Sequence, residues 1–364
     1  MEPISSLEQI EIAKKEEQSI KCVVWDLDHT IWDDVLLENN NVKVKSHVVN
    51  TIETLDKRGI LQSIASKNHY EDAKEKLEEL GLWEYFLYPE IHWNAKSYSI
   101  QNIAKSLNIA LDTFAFIDDQ EFEREEVKRE IPEIMCLDVT ELPDILNLRR
   151  MIPKFITEES GQRRKLYISD IQRNEAEEKY VGPSRSFLDS LNMTFEIKVA
   201  SEEDLKRAEE LTIRTHQLNT TGYTFSYQEL NQFRQSDKHN LLVAKLNDKF
   251  GSYGTIGLSL VEKRDKYWMV KLLLMSCRVM SRGVGSIMMN YIMTQAKKAG
   301  ATLRAEFVSN DRNRMMLVTY KFGGFTEIEQ KGDLIVLEHN LENIPMNSEN
   351  IRVIFPFREH SYTE

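Results

Sequence analysis

Acidic side chains follow two apolar runs that have the composition of buried strands. Asp26 and Asp28 come directly after the run CVVW, and Asp118 and Asp119 come directly after FAFI. An i, i+2 pair in a strand or tight loop can direct both carboxylates to the same side. Crowded carboxylates repel each other unless a cation lies among them, and hard oxygen ligands beside phosphate favour Mg²⁺. The pattern therefore predicts a magnesium site or an acid/base pair at the strand ends.

Two more polar residues at element ends fit a phosphate site. Ser66 closes the run ILQSIAS, and Lys96 opens the helix predicted after IHWNA. A hydroxyl and helix-start amides can bond phosphate oxygens, while a lysine neutralises the charge of a transferring phosphoryl group. Each residue alone would more often be a turn former or a cap. Here, four successive strand or helix ends carry side chains suited to phosphate and metal chemistry, which favours a functional set.

Alternating short apolar runs and amphipathic stretches extend from Lys21 to Val139. This alternation indicates βαβ units around a parallel sheet, an α/β Rossmann-like arrangement in which ligands meet the carboxyl ends of the strands. A chain of 364 residues suits two domains. The composition shifts predict a first domain over residues 1–141, a helical connector over 142–191, a second, mixed α/β domain over 192–345 and a tail over 346–364.

Charge and composition exclude several classes of partner. The net charge of −12 and the pI near 5.4 argue against broad attraction to nucleic-acid phosphates. Three scattered cysteines without close pairing indicate reduced, intracellular thiols. No apolar run has the length of a signal peptide core or a membrane span, so we expect a cytoplasmic protein without a membrane partner.

The segments VVWDLDHTIW, IASKN, NAKS and FIDDQEFEREEV resemble the four motifs of the haloacid dehalogenase (HAD) superfamily, and specifically its FkbH-like branch. The resemblance implies that Asp26 is a nucleophile that takes up phosphoryl, that Asp28 is the general acid/base and that Lys96 is catalytic. It implies Mg²⁺ as the cofactor, held by Asp26, Asp28, Asp118 and Asp119. The residues implied to bind phosphate are Thr30, Ser66, Lys67 and Asn68.

The second half carries a glycine-containing junction between a predicted strand and a helix. In SCRVMSRGVGSIMM, Arg282, Gly283 and Gly285 stand where backbone amides can approach a pyrophosphate or a phosphopantetheine arm. Together with Asn313 and Tyr320, the junction resembles the motifs of GNAT-type acyltransferases over roughly residues 193–339. The predicted fold class is therefore a Rossmann-like HAD domain with a parallel sheet, followed by a GNAT-like mixed α/β domain.

Several residues in the second half of the chain have two possible interpretations. His216, Gln217 and Asn219 form a polar string after a helix, and they either contact acyl or pantetheine groups or form an ordinary polar loop. Cys277 lies beside Arg278, which would stabilise a thiolate able to hold an acyl group, but strand cysteines are also commonly buried. The residues predicted to bind an acyl or pantetheine group are His216, Gln217, Asn219, Arg278, Arg282, Gly283, Gly285, Asn313 and Tyr320.

The FkbH-like resemblance implies a specific reaction. Such enzymes take 1,3-bisphosphoglycerate, remove phosphate and load the glyceryl unit onto the phosphopantetheine thiol of an acyl carrier protein in polyketide-type pathways. An acyl phosphate is a mixed anhydride, so its transfer to a thiol needs no ATP. Two alternatives remain: a plain phosphatase for a soluble phosphoester with a GNAT-like binding module, and a GNAT acyltransferase with a structural HAD domain. Ile287, which replaces a small residue of the GNAT loop, weakens the second alternative.

Overall fold

The computed structural model describes residues 19–39, 41–215, 217–347 and 350–355, without the side chains of Cys277, Met280 and Ser281. The chain divides into two compact units, unit 1 over Met1–Ile168 and unit 2 over Ser169–Glu364. Each unit has its own sheet with helices, so the predicted α/β class is confirmed. In the described part of the chain, no helix combines the length and the apolar character that crossing a membrane requires.

Unit 1 contains a five-stranded parallel sheet in the order β3-β2-β1-β4-β5. Its strands are β1 (Cys22–Trp25), β2 (Leu61–Ser66), β3 (Glu90–Ile91), β4 (Phe114–Asp118) and β5 (Met135–Asp138). Its helices are α1 (Ser46–Lys57), α2 (Tyr70–Glu79), α3 (Lys96–Leu107), α4 (Glu121–Glu130) and α5 (Glu158–Gly161). Helix α6 (Arg163–Glu178) contains the boundary between the two units.

The central strands of unit 1 are apolar because both of their faces are covered. Every residue of β1, β2 and β4 is buried, as expected for parallel strands packed between helices. The register sets Trp25 beside Ile64 on one side and beside Ile117 on the other. The residues that follow these three strands therefore leave the sheet at nearly the same level.

Unit 2 contains an eight-stranded mixed sheet in the order β11-β12-β10-β9-β8-β7-β6-β13. Its strands are β6 (Met193–Val199), β7 (His239–Asp248), β8 (Gly251–Lys263), β9 (Tyr267–Met275), β10 (Thr302–Val308), β11 (Thr326–Lys331), β12 (Leu334–His339) and β13 (Ile351–Ile354). Its helices after α6 are α7 (Ser184–Ser190), α8 (Leu205–Arg214), α9 (Tyr227–Gln235), α10 (Val284–Lys298) and α11 (Arg314–Phe322).

Two parts of unit 2 differ from the sequence-based expectation. The strand expected to continue through SCRVM ends at Met275, and Cys277–Arg282 forms a short 3-10 helix. The segment expected to be a tail contains β13, which pairs in parallel with β6. Four residues are too few for periodicity to reveal a strand, so only the pairing identifies it.

A buried ion pair ties α6 to the turn between β7 and β8 within unit 2. Arg173 donates from Nε to Asp248 Oδ2 at 2.7 Å and from Nη2 to Asp248 Oδ1 at 3.0 Å. The guanidinium lies 3.7 Å above the ring of Tyr253, whose hydroxyl also donates to Asp248. The Arg173 and Asp248 side chains are 1% and 0% exposed, so the Asp248 charge depends on the guanidinium, which also donates from Nη1 to Asp170 Oδ1 at 2.6 Å.

Candidate active site

The parallel register brings Asp26 and Asp118 together at the carboxyl edge of the unit 1 sheet. Trp25 is paired with Ile117, and the Asp26 amide donates to Ile117 O at 2.9 Å. Asp26 thus follows β1 at the level where Asp118 ends β4. Both side chains are buried, which removes the water that would otherwise screen their repulsion.

Lys96 bridges these two buried carboxylates from the start of α3. Its ammonium donates to Asp26 Oδ1 at 2.8 Å and to Asp118 Oδ2 at 2.5 Å, and the side chain is itself buried. The first turn of α3 is held by α4, because the Ser97 hydroxyl and amide donate to the two carboxylate oxygens of Glu126 at 2.5 and 3.2 Å. The lysine is therefore fixed in position and supplies one positive charge to two acids.

Burial and neighbouring charges shift the pKa values of Asp26, Asp118 and Lys96. Burial raises the pKa of Asp26, although the Lys96 ammonium acts in the opposite direction. Burial and the neighbouring Asp26 raise the pKa of Asp118 to about 7, again against Lys96. Burial alone would lower the pKa of Lys96, but the two carboxylates prevail and raise it. Two carboxylates with raised pKa values beside one cation indicate that a further positive charge would be favoured here.

The same edge of the sheet offers a set of carboxylate oxygens suited to a metal ion. One oxygen each from Asp26, Asp118 and Asp119 lie within 4.8 Å of one another. Asp119 Oδ1 is buried and has no hydrogen-bond partner among the described residues, while Asp118 Oδ1 accepts from the Gln120 amide at 2.8 Å. Three carboxylates against one lysine leave net negative charge, and hard oxygen donors suit Mg²⁺. These residues fit the predicted cofactor.

Asp28 stands outside this three-carboxylate cluster and is oriented by donors of its own. Its Oδ1 accepts from Trp32 Nε1 at 2.7 Å and from the Leu36 amide at 3.1 Å, and its Oδ2 accepts from Asn68 Nδ2 at 3.1 Å. The carboxylate is half-buried. A partly exposed, fixed carboxyl group two residues after Asp26 suits proton transfer to a reacting oxygen.

The residues predicted to bind phosphate lie at the same carboxyl edge of the sheet: Thr30 follows β1, Ser66 ends β2, and Lys67 and Asn68 follow β2. Ser66 is buried at the end of β2 and bonds the Asp26 carboxylate, which favours its charged form. Thr30 is fully buried, and its hydroxyl has no partner among the described residues. Lys67 donates to Glu123 Oε1 at 2.5 Å. Glu123 is buried in the first turn of α4. The sequence did not predict its role, because one acidic residue in a highly charged helix has no distinguishing pattern.

The residues predicted to bind an acyl or pantetheine group occupy several places in unit 2. Asn219, Asn313 and Tyr320 are buried close together, with Asn313 Nδ2 donating to Asn219 O at 3.1 Å. Gln217 is exposed, and the Arg278 Nε donates to Ser276 Oγ at 3.4 Å.

Three further predicted residues lie around the start of α10. Arg282 donates to Glu177, and Gly283 caps α10 with a φ of 73° that favours glycine. Gly285 lies in the first turn of α10. His216 and the Cys277 side chain lie outside the described part of the structure.

No protein-family model matches this chain, and the search of curated proteins found no match. Several solved structures are similar to parts of it. The N-terminal part of the protein BF1531 from Bacteroides fragilis, which contains a phosphatase domain and is complexed with Mg, is 27% identical with a TM-score of 0.34. That match covers 40% of this chain and 44% of the other, so it spans less than half of the neighbour's length.

Other similar structures are N-acetyltransferases. The ribosomal-protein-S18-alanine N-acetyltransferase from Escherichia coli is 16% identical with a TM-score of 0.33, and the match covers 43% of this chain and 98% of that one. The PaiA N-acetyltransferase from Thermoplasma acidophilum, in complex with coenzyme A, is 18% identical with a TM-score of 0.33, covering 40% and 98%. The structures similar to parts of this chain thus include a phosphatase domain and acetyltransferases.

Proposed function

We propose that unit 1 is a magnesium-dependent phosphoryl-transfer enzyme of the HAD type. The observation that carries the proposal is the meeting of the Asp26, Asp118 and Asp119 carboxylates at one edge of a parallel sheet, with Lys96 bonded to the first two. This arrangement concentrates negative charge in a buried place, which is unfavourable unless a cation binds among the carboxylates. Bound Mg²⁺ would be held by the three aspartates and would neutralise charge on the phosphate oxygens.

The chain's own residues then have separate roles in the reaction. The Asp26 carboxylate attacks phosphorus, so that an oxygen–phosphorus bond forms while the bond to the leaving oxygen breaks. Asp28 gives a proton to a leaving alkoxide and later takes one from the water that attacks the phosphorylated Asp26, which releases inorganic phosphate. Lys96 stabilises the charge on the transferred group throughout. In this mechanism, the Thr30 and Ser66 hydroxyls bond phosphate oxygens.

The finer proposal concerns the substrate and the acceptor. On the FkbH-like motifs, the substrate is 1,3-bisphosphoglycerate, and unit 1 hydrolyses its C3 phosphoester. A thiolate attacks the C1 carbonyl and displaces the C1 phosphate, and the glyceryl unit ends as a thioester on the phosphopantetheine thiol of an acyl carrier protein. The segment between β1 and α1, residues 26–45, is too short to hold an inserted domain over the site, which suits a substrate or acceptor attached to a macromolecule. Cys277 is the candidate residue for holding the glyceryl group as a thioester before transfer.

A plain phosphatase is the second candidate, and a specific observation favours it. The buried acyl-site candidates of unit 2, Asn219 and Asn313, bond to the chain itself. A unit in which these two candidates are used internally would serve as a binding module or as a scaffold. The soluble phosphoester would then be hydrolysed by unit 1 alone.

Mass spectrometry of a holo acyl carrier protein separates the two candidates. The full-length enzyme is incubated with Mg²⁺, 1,3-bisphosphoglycerate and the carrier, and phosphate release is followed in parallel. A mass gain of one glyceryl group supports loading, whereas phosphate release above the spontaneous rate without a mass gain selects the plain phosphatase. Cys277→Ala is expected to stop the mass gain, and Cys136→Ala, in the edge strand β5, is the matched control. Undiminished loading by Cys277→Ala would remove that thiol from the reaction.

A further inference from the structure

A wedge opens in the sheet of unit 2 where two parallel strands separate. In the described structure, β9 and β10 pair only through Tyr267–Val270 and Thr302–Ala305. Beyond this stretch, Lys271–Met275 and Glu306–Val308 do not pair with each other through their backbones, although the Lys271 side chain bonds Glu306; we call the space between the two segments the wedge. Separated strands present backbone amides and carbonyls that an extended ligand could pair with, as an added strand does.

The chain fills this wedge itself with Leu218–Thr220, which we call the closing segment. On the β9 side, the Met275 amide donates to Leu218 O at 2.9 Å and the Thr220 amide donates to Leu273 O at 3.1 Å. On the β10 side, the Val308 amide donates to Thr220 O at 3.0 Å. The Thr220 hydroxyl also accepts from the Leu273 amide at 3.0 Å. The segment thus bonds both walls of the wedge, as a short strand would.

Buried side chains hold the closing segment in place. The side-chain amide of Asn313 donates to Asn219 O at 3.1 Å and to Val308 O at 2.9 Å, which joins the segment to β10. Asn219 Oδ1 accepts from the amides of Thr221 and Gly222, so the turn that follows is fixed as well. Asn219, Thr220 and Asn313 are fully buried. These contacts leave little room for the segment to shift without breaking several bonds.

The glycine-containing junction before α10 is also engaged from within unit 2. Both terminal nitrogens of Arg282 lie 3.3–3.4 Å from Glu177 Oε2, and the arginine is only 7% exposed. A cation that would attract a pyrophosphate is therefore already balanced by a carboxylate of α6. A Cβ added at Gly283 would meet nothing, so its φ of 73°, not a close approach, accounts for the glycine.

We propose that the closing segment is a built-in strand that occupies the wedge, and that unit 2 consequently excludes coenzyme A and other pantetheine ligands from it. Two of the residues that a GNAT resemblance would assign to an acyl thioester, Asn219 and Asn313, instead bind the chain's own backbone. The inference goes beyond the proposed function and does not depend on the magnesium chemistry. If unit 1 loads a carrier protein, the pantetheine arm has to be received outside the wedge.

Calorimetry and hydrogen exchange on the full-length protein test this proposal without any turnover. With coenzyme A as the probe at concentrations up to about 1 mM, we expect no saturable binding. We also expect the Leu273, Met275 and Val308 amides to exchange at least about 100-fold more slowly than in an unfolded chain, with or without coenzyme A. Saturable binding in this range, or exchange at the unfolded rate, would overturn the proposal.

A pair of isosteric variants tests whether the closing segment is held as described. Asn313→Asp removes the donor to two carbonyls and sets an oxygen against them, so exchange of the Thr220 amide should rise about tenfold. Asn310→Asp is the matched control, because Asn310 accepts from two amides through an oxygen that aspartate retains.

Thr220→Val is a second variant, which tests the same contacts if Asn313→Asp does not fold. It removes only the hydroxyl that accepts from the Leu273 amide, so faster exchange of that amide is expected. Unchanged exchange at positions 218–220 and 273 in both folded variants would show that these contacts do not close the wedge.

Discussion

Replacement of Asp26 by asparagine is expected to lower phosphate release about a thousandfold or more while unit 1 stays folded. The amide is a poor nucleophile, and it also removes one of the three oxygens that would hold the metal ion. Because the Asp26 carboxylate is buried and burial raises its pKa, its loss removes an unfavourable charge as well as the bond to Lys96. The melting temperature should therefore change far less than the rate.

The control for this experiment is Asp72→Asn, which changes an exposed carboxylate in the first turn of α2. It should leave the rate of phosphate release within about twofold of the parent. Phosphate is measured by a colorimetric assay on the substrate chosen for the loading experiment, and folding is followed by circular dichroism. Near-normal release by Asp26→Asn would show that this residue is not the nucleophile.

Arg173→Met is expected to destabilise unit 2 by about 3–5 kcal/mol. Methionine keeps much of the side-chain volume but leaves Asp248 buried without its ionic partner. It also removes the cation above the Tyr253 ring. The change should appear as a shift of the unit 2 transition in urea unfolding, followed through fluorescence and far-ultraviolet circular dichroism.

Lys179→Met provides the matched comparison for this stability effect. Lys179 pairs with Glu175 at 3.6 Å, but both side chains are largely exposed. Surface pairs contribute little, so the free energy of unfolding should change by less than about 1 kcal/mol. If Arg173→Met changed stability no more than Lys179→Met, the buried pair would not be a determinant of the unit 2 fold.

The carboxylate site could be predicted because few features of the sequence determine it. The runs before Asp26 and Asp118 are apolar and short, which identifies parallel strands buried on both faces. Parallel strands share one carboxyl edge, so residues that follow them must come close. Lys96 was predicted from its position at a helix start, and the structure shows that position reaching both acids.

Other parts of the site depend on tertiary contacts that no local pattern reveals. The bond between Lys67 and Glu123 joins residues 56 positions apart, and nothing in either segment marks the other as its partner. The three donors that orient Asp28 also come from different turns and loops. Such contacts follow from how helices pack on the sheet, which composition and periodicity do not specify.

The polar string after α8, which includes Gln217 and Asn219, shows a second limit of prediction from sequence. Polar residues in a loop indicate only that hydrogen bonds are made, and ligand contacts were one reading of Gln217 and Asn219. The structure shows the neighbouring backbone of Leu218 and Thr220 bonded to two strands. Residue types do not indicate that three residues pair through their backbones. This pairing can be identified only when the positions of β9 and β10 are known.

Calorimetric titration of the full-length protein with Mg²⁺ tests the central claim most directly. At pH 8, above the pKa of about 7 for Asp118, we expect one ion per chain, with weaker binding at pH 6 because protons compete for that carboxylate. Asp118→Asn and Asp119→Asn should each weaken binding at least about tenfold, and Asp72→Asn should not. Absence of saturable binding, or equal binding by all four proteins, would contradict the assignment of Asp26, Asp118 and Asp119 as a magnesium site.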